Sequence, residues 1–199
     1  MTTGGGAVAT AISRRLDLLR ADVIRSRVDY EQILVHLSGL SGSVKDPATR
    51  KAMELVASVV AMDYELKVLL IKVLAEPEDR EVWEKYVALL CWATIEELPR
   101  QIGADYRDAA RDFKEALKSV RVDADFVQSL ADIRNKIVAH RDLDNGDHWP
   151  AQWHLTSIAN KHNGTSVLGS KIVVHSAAVL DALGVLGRAL LSMHPNLRP

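Results

Sequence analysis

An arginine inside an apolar helical stripe is an expensive residue, and Arg134 falls in one. Around Ile133-Arg134-Asn135-Lys136-Ile137-Val138-Ala139-His140-Arg141-Asp142, a rotation of about 100° per residue puts Phe126, Leu130, Ile133 and Ile137 on one stripe. Val127, Ala131 and Val138 widen it. Arg134 lies between Leu130 and Val127 on that wheel, and His140 lies at the opposite edge. A fixed cation on a buried face costs several kcal/mol unless it is paired, so a carboxylate, a second subunit or an anionic substrate is expected to use it. A guanidinium never deprotonates and presents two parallel donors to a phosphate. Histidine, with a reference pKa of about 6.5, can take or give a proton near neutrality. Asn135 can orient a ribose or a phosphate oxygen. The bland alternative stays open: Arg134 pairs with an acidic residue of a neighbouring helix, and His140 caps a helix C-terminus, where a cation is favoured.

The same residues carry a resemblance. An arginine followed by a polar residue, then a histidine with five residues between Arg134 and His140, resembles the motif of the HEPN superfamily of all-α proteins. The wording RNKIVAHRD is most similar to HEPN proteins of the abortive-infection type. The resemblance implies a helical bundle, often a homodimer, and metal-independent RNA cleavage in the active members. Arg134 and His140 would then be the catalytic pair, with Asn135 assisting. In that chemistry the 2′-OH of RNA loses its proton to a base and attacks the adjacent phosphorus, while an acid protonates the leaving 5′ oxygen. A cation balances the charge on the phosphoryl oxygens. Lys136, Arg141 and Trp149 are the candidate substrate-binding residues around the pair. Trp149 and Trp153 flank Pro150, where they would either stack on a base or anchor a loop to the bundle. Some HEPN toxins carry a tyrosine two residues after the histidine, which a partner nucleotidyltransferase modifies. Here that position is Asp142, which argues against this control and leaves the identity of an antitoxin protein open.

A separation of six residues is about 240° round a helix, so Arg134 and His140 do not stack on one face. They converge if the helix ends at His140, or if one subunit supplies Arg134 and the other His140. The homodimer also accounts for the interior arginine.

The elements that must position these residues read as helices. A first, over about 7–37, carries Ile12, Leu16, Leu19, Val23, Ser26, Tyr30, Ile33 and Leu37 at four-three spacing. A second, over about 48–74, repeats it with Ala52, Leu55, Val59, Met62, Leu66, Leu69 and Val73. With the turn-rich SGLSGSVKDP between them, they predict a long antiparallel hairpin. A third helix is expected over about 78–98, ended by Pro99 and Gly103. A fourth, over about 105–120, has Ala109, Ala110, Phe113, Ala116, Leu117 and Val120 on its core side and Arg107, Arg111, Lys114, Lys118 and Arg121 along one edge. That edge either tracks a phosphate backbone or is a solvated face with pairs such as Arg111 to Glu115; the solvated face is the favoured reading. The motif helix starts near Asp123 or Asp125 as N-cap, and a last helix over about 175–193 closes the bundle. Between them, over about 142–174, a long loop or short hairpin is expected, with strands at Trp153–Ile158 and Val167–Val174.

The remaining features are exclusions. A chain of 199 residues with 48% hydrophobic and 26% charged residues is expected to form a single all-helical domain over 1–199. A net charge of −1 excludes a generally basic nucleic-acid binder, though not a local basic groove. The single Cys91 excludes a disulfide framework and a cysteine zinc site within one chain. His140, His148, His154 and His162 lack ligand-pair spacing, and Asp142-Leu143-Asp144-Asn145-Gly146 departs from a calcium loop at its glycine and its twelfth position, so no metal or other cofactor is expected. No span approaches ~18 uninterrupted apolar residues, and the charges of MTTGGGAVATAISRR follow its apolar stretch, the reverse of a secretory signal. A cytoplasmic, membrane-free protein is expected. The fold class is therefore all-α, a HEPN-like up-and-down helical bundle with a long N-terminal hairpin. The expected function is a metal-independent endoribonuclease of a defence or toxin–antitoxin system, acting on RNA as a homodimer with an antitoxin protein as partner. Two rivals are a non-catalytic HEPN-like module that binds a nucleotide or a protein, and a structural dimerisation protein built on the heptad arms.

Overall fold

The computed structural model describes residues 4–139, 151–161 and 165–199, and the side chains within them except at 4–13, 15, 136–139, 151–155, 165 and 166. Two long helices, α1 (Gly4–Ser41) and α2 (Pro47–Ala75), pack together, with Tyr30 of α1 stacked on Tyr64 of α2 at 5.2 Å between centroids, beside rather than on the expected α2 seam. Asp46 caps α2, accepting the Thr49 amide at 2.8 Å and its hydroxyl at 2.6 Å, and Pro47 occupies the first helical position, where a missing N–H costs nothing. The one polar residue in the α1 seam is used. Ser26 is buried and accepts from Lys67 Nζ at 2.8 Å, while Lys67 also lies 2.7 Å from Asp63 and 2.9 Å from Asp22. A polar group at one seam position penalises every other register.

Next come α3 (Arg80–Trp92), a π-helical stretch (Ala93–Glu97) and α4 (Leu98–Ile102). The distortion has an identifiable cause. Pro99 has no N–H to offer the Ile95 carbonyl four residues back, and Arg121 Nη2 donates to that carbonyl instead, at 2.7 Å. Gly103, at φ 72°, then reverses the chain. The next helix is broken: α5 (Arg107–Ala116) is followed after Leu117 by the single turn α6 (Lys118–Arg121). The motif helix α7 (Ala124–Ala139), α8 (Ala151–Lys161) and α9 (Thr165–Met193) complete the bundle.

The fold is all-α, and among the described residues there is no strand. The strands expected at Trp153–Ile158 and Val167–Val174 are therefore helical. Short apolar runs rich in Val, Ile, Trp and Thr suit either structure. The longer period decides: Leu168, Ile172, Ser176, Val179, Leu183, Leu186 and Leu190 are all buried along one side of α9. The last helix therefore begins at Thr165, ten residues before the expected start at about 175.

α9 is the hub of the bundle, packed by α2, α3, α5 and α8. Gly169 lets it approach α3 closely, because a side chain there would collide with the buried Glu84 carboxylate. Over Val167–Met193 this helix is also long and apolar enough, by length and composition alone, to cross a membrane. Lys171, Asp181 and Arg188 interrupt the run and hid this from the sequence reading.

Candidate functional site

α7 is held at both its head and its buried side. Asp123 caps it, accepting the Phe126 amide at 3.0 Å. The same carboxylate takes Lys171 Nζ at 2.9 Å and lies 3.1 Å from His175 Nε2, so the start of the motif helix is bonded to α9. The His175 ring also packs on Phe126, 4.5 Å between centroids. Burial alone would push the Asp123 carboxyl up; the hydrogen bonds from Lys171, His175 and the Phe126 amide outweigh it and hold it at about 2. The sequence contained the signal for this cluster, Lys171 and His175 at i,i+4. A strand over Val167–Val174 would carry only Lys171; the helix carries both and places them on one face.

The buried side of α7 is narrower than the sequence suggested. Phe126, Ser129, Leu130 and Ile133 are buried, whereas Val127 and Ala131 are half-buried. Ser129 sits inside because its hydroxyl donates to the Phe126 carbonyl at 2.7 Å. That shifts the buried arc away from Val127 and leaves Arg134 at the rim. Arg134 is exposed, not interior as its wheel position had suggested. Its Nη1 donates to Oδ1 of the neighbouring exposed Asn135 at 3.3 Å. Among the described residues no carboxylate pairs with it; Asp132, two residues earlier on the same helix, accepts from Gln128 Nε2 at 2.9 Å.

The structure thus places Arg134 and Asn135 side by side on the open face of α7. Lys136 follows on the same helix with its side chain outside the described set. His140, Arg141, Asp142 and Trp149 lie outside the described residues, as do His148 and His162. Trp153 and His154 fall on α8. Cys91 is fully buried against Ser176, 3.6 Å from its hydroxyl, and burial pushes its thiol up to about 12. It is an inert core residue.

The basic edge of α5 and α6 forms as expected but with different pairs. Arg111 is bonded to Asp108 at 3.1 Å and Asp112 at 3.3 Å, and Glu115 meets Lys118 at 3.0 Å rather than Arg111. Arg121 is engaged by the Ile95 carbonyl.

Fold and site together define an all-α helical bundle presenting an exposed Arg-Asn pair late in its chain. Compared with family models, curated proteins and solved structures, the chain finds no match.

Proposed function

We propose that the chain is a HEPN-type, metal-independent endoribonuclease, working in the cytoplasm as a homodimer within a defence or toxin–antitoxin system. The observation that supports it is Arg134: an exposed guanidinium beside Asn135, with no carboxylate partner among the described residues. A guanidinium spent on an internal ion pair would have nothing left for a phosphate. In the proposed reaction Arg134 holds the phosphoryl oxygens, and His140 transfers the protons. The 2′ oxygen bonds to phosphorus, the bond from phosphorus to the 5′ oxygen breaks, and a 2′,3′-cyclic phosphate and a 5′-hydroxyl remain. Asn135 keeps the guanidinium in place and lies within reach of a bound ribose. A second copy of the chain would bring a second α7, and a spacing of six residues between Arg134 and His140 suits a site shared across a two-fold axis. Dimerisation also suits α1, whose exposed Ile24, Val28 and Val35 lie on the side opposite its packed seam.

The test is cleavage of total RNA in the presence of EDTA, with end-group analysis of the fragments. Wild-type protein should leave 2′,3′-cyclic or 3′-phosphate ends, and Arg134→Ala and His140→Ala should each abolish cleavage while keeping the wild-type melting curve. Undiminished cleavage by either variant, or dependence on a divalent ion, would overturn the reading.

A further inference from the structure

Arg107, Arg111, Lys114, Lys118 and Arg121 repeat at four-three spacing, which keeps them within an arc of about 80° on one helical face. Like charges at i,i+3 and i,i+4 destabilise a helix by about 0.2–0.5 kcal/mol per pair. Asp108, Asp112 and Glu115 offset this at Arg111 and Lys118, and among the described residues no ion pair offsets it at Arg107 and Lys114. The row lines a groove of about 710 Å³ between α4 and the α5–α6 segment, and the lining contains Glu115 as its one carboxylate. Asp108 and Asp112, which neutralise Arg111, stand outside that lining. Two members have no carboxylate partner among the described residues: Arg107 and Lys114, separated by about 10 Å of helix axis.

We infer that this groove binds the phosphodiester backbone of RNA. A concave row of cations matches a strand of phosphates and not a flat lipid surface. No aromatic side chain lines the groove, so it offers phosphates a partner and bases no stacking platform; binding is sequence-independent. Val122 lines the groove and adjoins Asp123, which caps α7. Arg134 lies eleven residues beyond that cap, about 16 Å along the α7 axis. The choice of RNA among polyanions rests on the endoribonuclease reading; the anion-binding groove does not.

The probe is a labelled mixed-sequence RNA with every 2′-OH methylated, which cannot undergo the proposed cleavage, titrated by fluorescence anisotropy at several salt concentrations. Wild-type affinity should fall linearly in log–log form with salt. The double variant Arg107→Glu/Lys114→Glu should bind at least about tenfold more weakly, with the slope reduced by about 1.4, or 0.7 for each lost phosphate contact. Arg107→Gln/Lys114→Gln should show the same direction with less effect, and serves if charge reversal disturbs folding. Lys45→Ala, at an exposed cation outside the groove, should retain the salt-dependent binding. Wild-type affinity in both groove variants would overturn the inference, as would binding to polyglutamate as tight as to RNA. Groove-dependent binding by a protein that never cleaves RNA would leave the groove standing and remove the endoribonuclease reading.

Discussion

Asp123 is the residue on which the motif helix depends most, because one carboxylate serves as helix cap, partner of Lys171 and partner of His175. Its pKa is lowered from an ordinary 3.8 to about 2. The folded state therefore prefers the carboxylate, and the stability this provides is complete above about 3.8 and is lost as pH falls through about 2. Asp123→Asn keeps a capping oxygen but removes the charge; its urea stability should change less between pH 4 and pH 2 than that of the wild type. Asp123→Ala should also lose the cap, about 1 kcal/mol at neutral pH. An Asn variant with the wild-type acid profile would show that the charge contributes nothing. At this scale the sequence was legible in part. It named Asp123 as one of two caps. It misjudged Arg134, because a helical wheel weights Val127 and Ala131 as fully as Phe126, whereas burial is decided by which neighbours press on the helix.

Among elements, the Pro99 distortion couples two segments that the sequence left separate. The Ile95 carbonyl loses its helical donor to Pro99 and gains Arg121, so α6 is pinned to the turn before α4. Arg121→Ala should cost about 1–3 kcal/mol, the penalty for a carbonyl left without its partner. Restoring the N–H with Pro99→Ala should make the same substitution milder, and a double-mutant cycle in urea would read that coupling. Additive costs would break the link. The sequence did place Pro99 and Gly103 as a stop, and the cation row of α5 at its correct spacing. The pairing of Arg121 with a backbone carbonyl has no sequence signature, since it joins residues 26 apart in the chain. The long hairpin was equally legible, because four-three spacing over two arms has a single solution; the strand assignment failed where short runs rich in β-branched residues carried no period of their own.

For the molecule as a whole, the proposed dimer makes a measurable claim. Two α7 helices across a two-fold axis would bring two Arg134 guanidinium groups together, and a bound phosphate would relieve their repulsion. Inorganic phosphate should therefore raise the melting temperature through linkage. In a protein carrying Arg107→Glu/Lys114→Glu, which removes the groove's share, a shift should remain, and adding Arg134→Ala should abolish it. Light scattering at micromolar concentration should give a dimer, and a monomer under those conditions would count against the shared site. The bundle's dependence on α9 has a consequence of another kind, in the timing of synthesis. The helices that pack on α9 precede it in the chain, so the ribosome delivers the hub after the surfaces it covers. Ala75 at the end of α2 and Met193 at the end of α9 lie 118 residues apart, about 6–24 s of translation at bacterial-to-eukaryotic rates. Through that interval the sides of α2, α3 and α5 that pack on α9 face water or a chaperone. The bundle completes its fold only once α9 has been made.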